Sequence, residues 1–128
     1  GAKEVQVGTV LLTTKECPIH LNYKQKVVNA KDTDTIVTGR GTGAPVRVLK
    51  NPMAIEYLNM ANKGATLEEL ELMTLGSLRK AVFEGDLEKG SFMAGQVSGL
   101  VKEIRTVEEV LKSLFEPVKA YKDALEVL

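Results

Sequence analysis

The sequence has no tryptophan, one cysteine and one histidine. The lone cysteine, Cys17, cannot close an internal disulfide or build a cysteine-rich zinc site. The lone histidine, His20, has no second imidazole and no acidic or thiol cluster at ligand spacing. A surface or capping role is therefore expected of it, not a metal centre. Three Tyr and three Phe leave few rings for stacking on bases. Neither sign of charge is in excess. With 17 Lys+Arg against 17 Asp+Glu, no global field draws in nucleic acid, an anionic membrane or an acidic partner. No apolar run approaches the roughly 20 residues that span a bilayer. The opening residues alternate Lys and Glu with apolar side chains, unlike a secretory signal. These absences predict a cytoplasmic chain with no nucleic-acid and no membrane partner.

What remains is ordinary globular material: 128 residues, 44% hydrophobic and 27% charged. Val5, Val7 and Val10–Leu12 predict a buried strand over about residues 3–12, with Gly8-Thr9 as an interruption. Tyr23, Val27, Val28 and Ala30 predict an amphipathic helix with Lys24, Gln25, Lys26 and Asn29 on its wet side. Residues 32–38 are β-branched and read as extended, and 39–45 as a flexible loop. Val46–Leu49 is too short to assign. Asn51-Pro52 has the form of an N-cap followed by proline at the first helical position. That helix is expected to carry Ile55, Leu58 and Met60-Ala61 and to end near Gly64. Thr66-Leu67-Glu68-Glu69 matches a capping box. A short helix is expected over 76–83, stopped by Gly85-Asp86. Leu111, Leu114, Val118, Tyr121, Leu125 and Leu128 step by threes and fours, a helical stripe suited to a core or a subunit contact. Pro117 is expected to kink or divide it.

One buried strand in a mainly helical chain is unusual. Alone, its backbone groups lack partners on both edges; residues 32–38 can pair with it, but two strands make only a marginal sheet. The pattern implies a sheet whose other strands are not in this chain.

The candidate chemistry is sparse. Gln6-Val7-Gly8-Thr9 places a glycine where backbone N–H groups can approach an anion, although by spacing alone an ordinary strand end is the favoured reading. Gly39-Arg40-Gly41-Thr42-Gly43 lacks the lysine of a phosphate loop. Arg40 or Arg47 can still face an anion. Cys17 carries no sign of activation, and Asp86 and Glu88 read as solvated turn carboxylates. The stretch 90–100 is the most unusual. Its small residues permit close packing, either of backbone on backbone or of backbone on a flat ring. Gln96 adds a donor and an acceptor there.

Taken in order, Val5–Thr9, His20 with Asn22–Lys24, Asp34–Gly39, Pro45–Asn51, Gly76–Val82, Glu84–Asp86 and Gly90–Gln96 resemble the C-terminal part of the FMN-dependent enoyl-acyl-carrier-protein reductase and nitronate monooxygenase superfamily. The resemblance covers residues 1 to about 115. It implies an α/β fold, the C-terminal part of a TIM (β/α)8 barrel, with a last barrel strand, a helical cap and a tail making up residues 1–128. A whole barrel needs about 250 residues, so the resemblance also implies a missing N-terminal barrel half as partner. Carried over by position, it places Gln6, Val7, Gly8 and Thr9 at the FMN phosphate. It sets Met93, Ala94, Gly95 and Gln96 near the isoalloxazine ring. The family's catalytic histidine falls outside these residues, so no catalytic residue is assigned. Two departures stand out. Val10-Leu11 replace the usual Arg-Phe, and Ala44 stands where a histidine is common. In the complete enzyme NAD(P)H serves as the hydride source, and an enoyl thioester is reduced in fatty-acid synthesis. The alternative substrate is an alkyl nitronate. A non-catalytic homologue serving as a scaffold or interaction module is the third reading. Assembly into a homo-oligomer is compatible with all three.

Overall fold

The computed structural model describes residues 3–127. The stripe position Leu128 lies outside the described residues, as do the first two of the chain. The architecture is α/β and rich in helix, with two strands.

The sequence signals that depend on neighbours a few residues away are realised. Helix α1 (Thr9–Leu12) is a single turn, closed where Thr13 and Thr14 return their hydroxyls to the carbonyls of Val10 and Leu11 at 2.9 and 2.8 Å. Helix α2 (Leu21–Val28) is capped by His20, whose Nδ1 accepts from the Asn22 N–H at 3.0 Å. Strands β1 (Thr35–Thr38) and β2 (Val46–Leu49) form an antiparallel hairpin, in register from Thr35 opposite Leu49 to Thr38 opposite Val46. Asn51 caps α3 (Pro52–Asn62), and Thr66 and Glu69 make the capping box of α4 (Leu67–Thr74). Helix α5 (Ser77–Arg79) runs into a π-helical turn, Lys80–Glu84. Gly85 ends that turn at φ +61°, where a Cβ would overlap the His20 ring. After a 3-10 turn (Gln96–Leu100), a second capping box at Thr106 and Glu109 opens α6 (Val107–Glu126).

The core gathers residues that are distant in sequence. Tyr23, Val27 and Ala30 pack with Leu49, Ala81, Phe92, Ala94 and Val101. Phe92 is fully buried and meets Tyr23 edge to face, with ring centroids 4.9 Å apart. Residues 92–94 lie along β2 as an irregular third strand: Leu49 N–H donates to the Phe92 carbonyl at 2.8 Å, and Ala94 N–H to the Arg47 carbonyl at 3.3 Å.

Four expectations are corrected. The strand over 3–12 is absent: residues 4–8 have no regular structure and Thr9–Leu12 is helical. A strand needs hydrogen-bonding neighbours, and the described residues offer it none. Val5 is correspondingly exposed. Lys24 is not on a wet face. It is 7% exposed, and its ammonium donates to the Thr14 carbonyl at 2.6 Å. On α3 the buried face is Met53, Ala54 and Tyr57, while Ile55 is exposed. Helix α6 is one helix through Pro117 and is not divided. Proline removes one intrahelical bond, and on an exposed helix water can serve the freed carbonyl. Its stripe, Leu111, Leu114, Val118, Tyr121 and Leu125, is exposed rather than in the core.

Candidate functional site

The two segments singled out in the sequence meet. The Thr9 hydroxyl accepts a hydrogen bond from the Gly95 N–H at 2.9 Å, across 86 residues of sequence. Gly95 makes this approach possible, because a Cβ there would stand 3.0 Å from Thr9 Oγ1. Gly8 differs. A Cβ built on it meets nothing within 4 Å, so this glycine opens onto free space. The backbone N–H groups of Gln6, Val7 and Gly8 make no hydrogen bond among the described residues and are free to donate. Gln6 and Gln96 are exposed, and so is Met93. Val7 and Thr9 are half-buried, and Ala94 is buried as part of the core. The result is a frame (Thr9, Ala94, Gly95) beneath an open face (Gln6, Gly8, Met93, Gln96).

Buried polar groups that the sequence reading missed fix this frame. The Tyr23 hydroxyl donates to the Met93 carbonyl at 2.6 Å. Burial pushes this hydroxyl up to about 12, against the pull of its bond to that carbonyl and with a small push from Cys17. Asn51 is 5% exposed and spends its whole amide. Oδ1 accepts from Ala54 N–H at 2.9 Å, while Nδ2 donates to the carbonyls of Leu87 at 3.1 Å and Gly90 at 2.6 Å. The loop that leads into residues 91–96 is thereby tied to the start of α3. The Asn51-Pro52 signal revealed the cap but not these two donations, which depend on a loop 36 and 39 residues away.

The remaining candidates fall elsewhere. His20 is a helix cap and Cys17 a half-buried free thiol. Arg47 is engaged within the hairpin, its guanidinium donating to Thr35 Oγ1 at 3.0 Å, while Arg40 is exposed on the loop that follows β1. Asp86 accepts from the N–H groups of Glu88 and Lys89, and those bonds hold its carboxyl below the usual range. Among the described residues there is no cluster of three or more metal-ligating side chains. No helix among them is long and apolar enough to cross a membrane.

This geometry can be set beside known proteins. The nitronate monooxygenase family profile matches residues 1–117. A probable nitronate monooxygenase of Staphylococcus saprophyticus is 31% identical over 120 residues, covering 91% of this chain and 34% of that protein. One of Bacillus subtilis is 28% identical over 115 residues, covering 89% of this chain and 33% of that protein. The solved structure of FabK from Thermotoga maritima superposes with a TM-score of 0.89 at 41% identity, covering 98% of this chain and 40% of FabK. The chain belongs to the nitronate monooxygenase family. It spans about a third of the length of the curated relatives it matches.

Proposed function

We propose that the chain is the C-terminal part of a cytoplasmic FMN-dependent oxidoreductase whose barrel is completed by residues outside it. The enzyme uses NAD(P)H to reduce an enoyl thioester carried on acyl carrier protein. The observation that carries this reading is the Thr9–Gly95 hydrogen bond, which joins the two candidate segments, 6–9 and 93–96, into one open face. The 41% identity to FabK, at a TM-score of 0.89, supports the reductase over the nitronate enzyme.

The residues present suit one side of a flavin site. Gly8 leaves the backbone of 6–8 uncovered, and its neighbours' free N–H groups suit the oxygens of a phosphate. Met93 presents a soft thioether and Gln96 an amide that can donate or accept at a ring edge. Gly95, held on Thr9, sets the distance between the two groups of contacts. Bound FMN would supply the capacity to take hydride from a pyridine nucleotide and deliver it to the substrate. The chain's own share is to bind, orient and shield. The other side of the site is supplied by the partner half.

The test is complementation. Mixed with the N-terminal barrel half of a full-length relative, the chain is expected to take up one FMN and to support crotonyl-thioester-dependent NAD(P)H oxidation. Oxygen consumption with propyl nitronate would instead establish the monooxygenase. Flavin uptake with neither activity would establish a non-catalytic module. In Gly8→Val the added Cβ meets nothing within 4 Å. Thermal stability should hold while FMN affinity falls. Unchanged affinity would remove Gly8 from the site.

A further inference from the structure

Beside Met93 lies a cavity of about 360 Å³, between the β1–β2 hairpin, α3, α4 and α5. The volume is at the lower end of small-ligand pockets, roughly 300–1,000 Å³. Its apolar wall is made by Val48, Met53, Ala54 and Leu70, none more than 9% exposed. Its charge is as informative as its shape. The one charged lining residue is Glu71; no lysine, arginine or histidine lines it. An anionic ligand such as a carboxylate or a nitronate finds no cation here and meets a like charge instead.

Three hydroxyls on the same wall, those of Tyr57, Ser77 and the half-buried Ser91, are unused. Tyr57 is 8% exposed and Ser77 is 6% exposed, and neither side chain makes a hydrogen bond among the described residues. No polar side-chain atom among the described residues is both sealed from solvent and unpartnered. These hydroxyls therefore border space that a small molecule can enter. Tyr57 also borders the neighbouring cavity under the 39–42 loop, and Ser77 a shallow one beside Lys80. Water can reach these hydroxyls in the free protein, so a ligand that displaces that water keeps its affinity only by accepting from them. A neutral carbonyl on an apolar chain satisfies all of these features.

We propose that this cavity takes the acyl group of a neutral thioester. Its apolar wall holds the chain, and the Tyr57 and Ser77 hydroxyls donate to the thioester carbonyl. The assignment deepens the reductase reading and rests on it for the identity of the substrate. It adds a location for the acyl group, reached from the face that bears Met93.

The four methionines make the test direct. Met53 and Met93 line the cavity, while Met60 and Met73 do not. The 128-residue chain, labelled at its methionine methyls, is titrated with hexanoyl-N-acetylcysteamine. Saturable shifts are expected at Met53 and Met93 and not at Met60 and Met73, with no response to sodium hexanoate. No saturable shift at Met53 and Met93, or equal binding of hexanoate, overturns the proposal. Tyr57→Phe and Ser77→Ala keep the wall and remove the donors. Each is expected to weaken thioester binding about five-fold and to leave the matching thioether, which lacks the carbonyl, unaffected. Thioester affinity unchanged in both variants overturns the carbonyl contact. The measurement uses no flavin, so a chain that fails to take up FMN and a cavity that fails to bind thioester are separate results.

Discussion

Substitution of Asn51 separates a helix cap from a tertiary clasp. Asn51→Asp keeps the acceptor for Ala54 N–H, and aspartate caps helices about as well as asparagine. If capping were its whole role, this variant would be nearly neutral. The structure gives Asn51 two further bonds, to Leu87 and Gly90, the second of them fully buried. Asn51→Asp deletes both donors and turns carboxylate oxygens toward two carbonyls. Each lost bond, with the carbonyl it strands, costs on the order of 1–2 kcal/mol. The expected loss is thus about 2–4 kcal/mol. Asn51→Ala loses the cap as well, adding about 1 kcal/mol. With a urea slope of roughly 2 kcal/mol per molar, a 3 kcal/mol loss moves the unfolding midpoint down by about 1.5 M. Circular dichroism in urea measures that midpoint. Hydrogen exchange locates the effect: Met53 N–H, bonded to the Glu88 carbonyl, should exchange faster in both variants. An Asn51→Asp midpoint equivalent to within about 0.5 kcal/mol of the parent would refute the clasp.

Other perturbations follow the same physics. Tyr23 has its pKa raised in the fold, so the stability tied to its neutral hydroxyl is fully present below pH 10 and is lost as pH rises toward about 12. Alkaline unfolding followed at 295 nm should show this loss, and Tyr23→Phe should abolish that part of the pH dependence. Asp86 has its pKa lowered, so its contribution is present above the usual carboxylate range and is lost on acidification; Asp86→Asn should flatten the acid limb of the stability profile. Gly85→Ala combines a left-handed backbone with a clash on His20 and should cost about 2 kcal/mol or more in chemical denaturation. Thr106→Ala removes a capping box at an exposed helix start and should cost only about 1 kcal/mol, with helicity by circular dichroism reduced mainly in α6.

What the sequence determined by itself is what neighbours a few residues apart can decide. Asn51 and Thr66 announced their helices because a cap is closed within three residues. The β-branched run read as extended over 32–38 holds β1, and the helical segment expected over 76–83 is stopped at Gly85, because a left-handed turn is a local demand. The candidate site was legible as two separate segments, on resemblance more than on spacing. Burial, partnership and approach belonged to the tertiary structure. Lys24 has the composition of a wet-face residue, yet the Thr14 carbonyl takes its ammonium inside. Val5–Leu12 has the pattern of a strand, yet strand formation is a pairwise event, and β1 and β2 pair with each other and not with it. The regular stripe of α6 specifies an apolar face without specifying what meets it, and the fold leaves that face exposed. Only folding brings Thr9 to Gly95 and Asn51 to Gly90, because such contacts depend on how helices and hairpin pack over long separations.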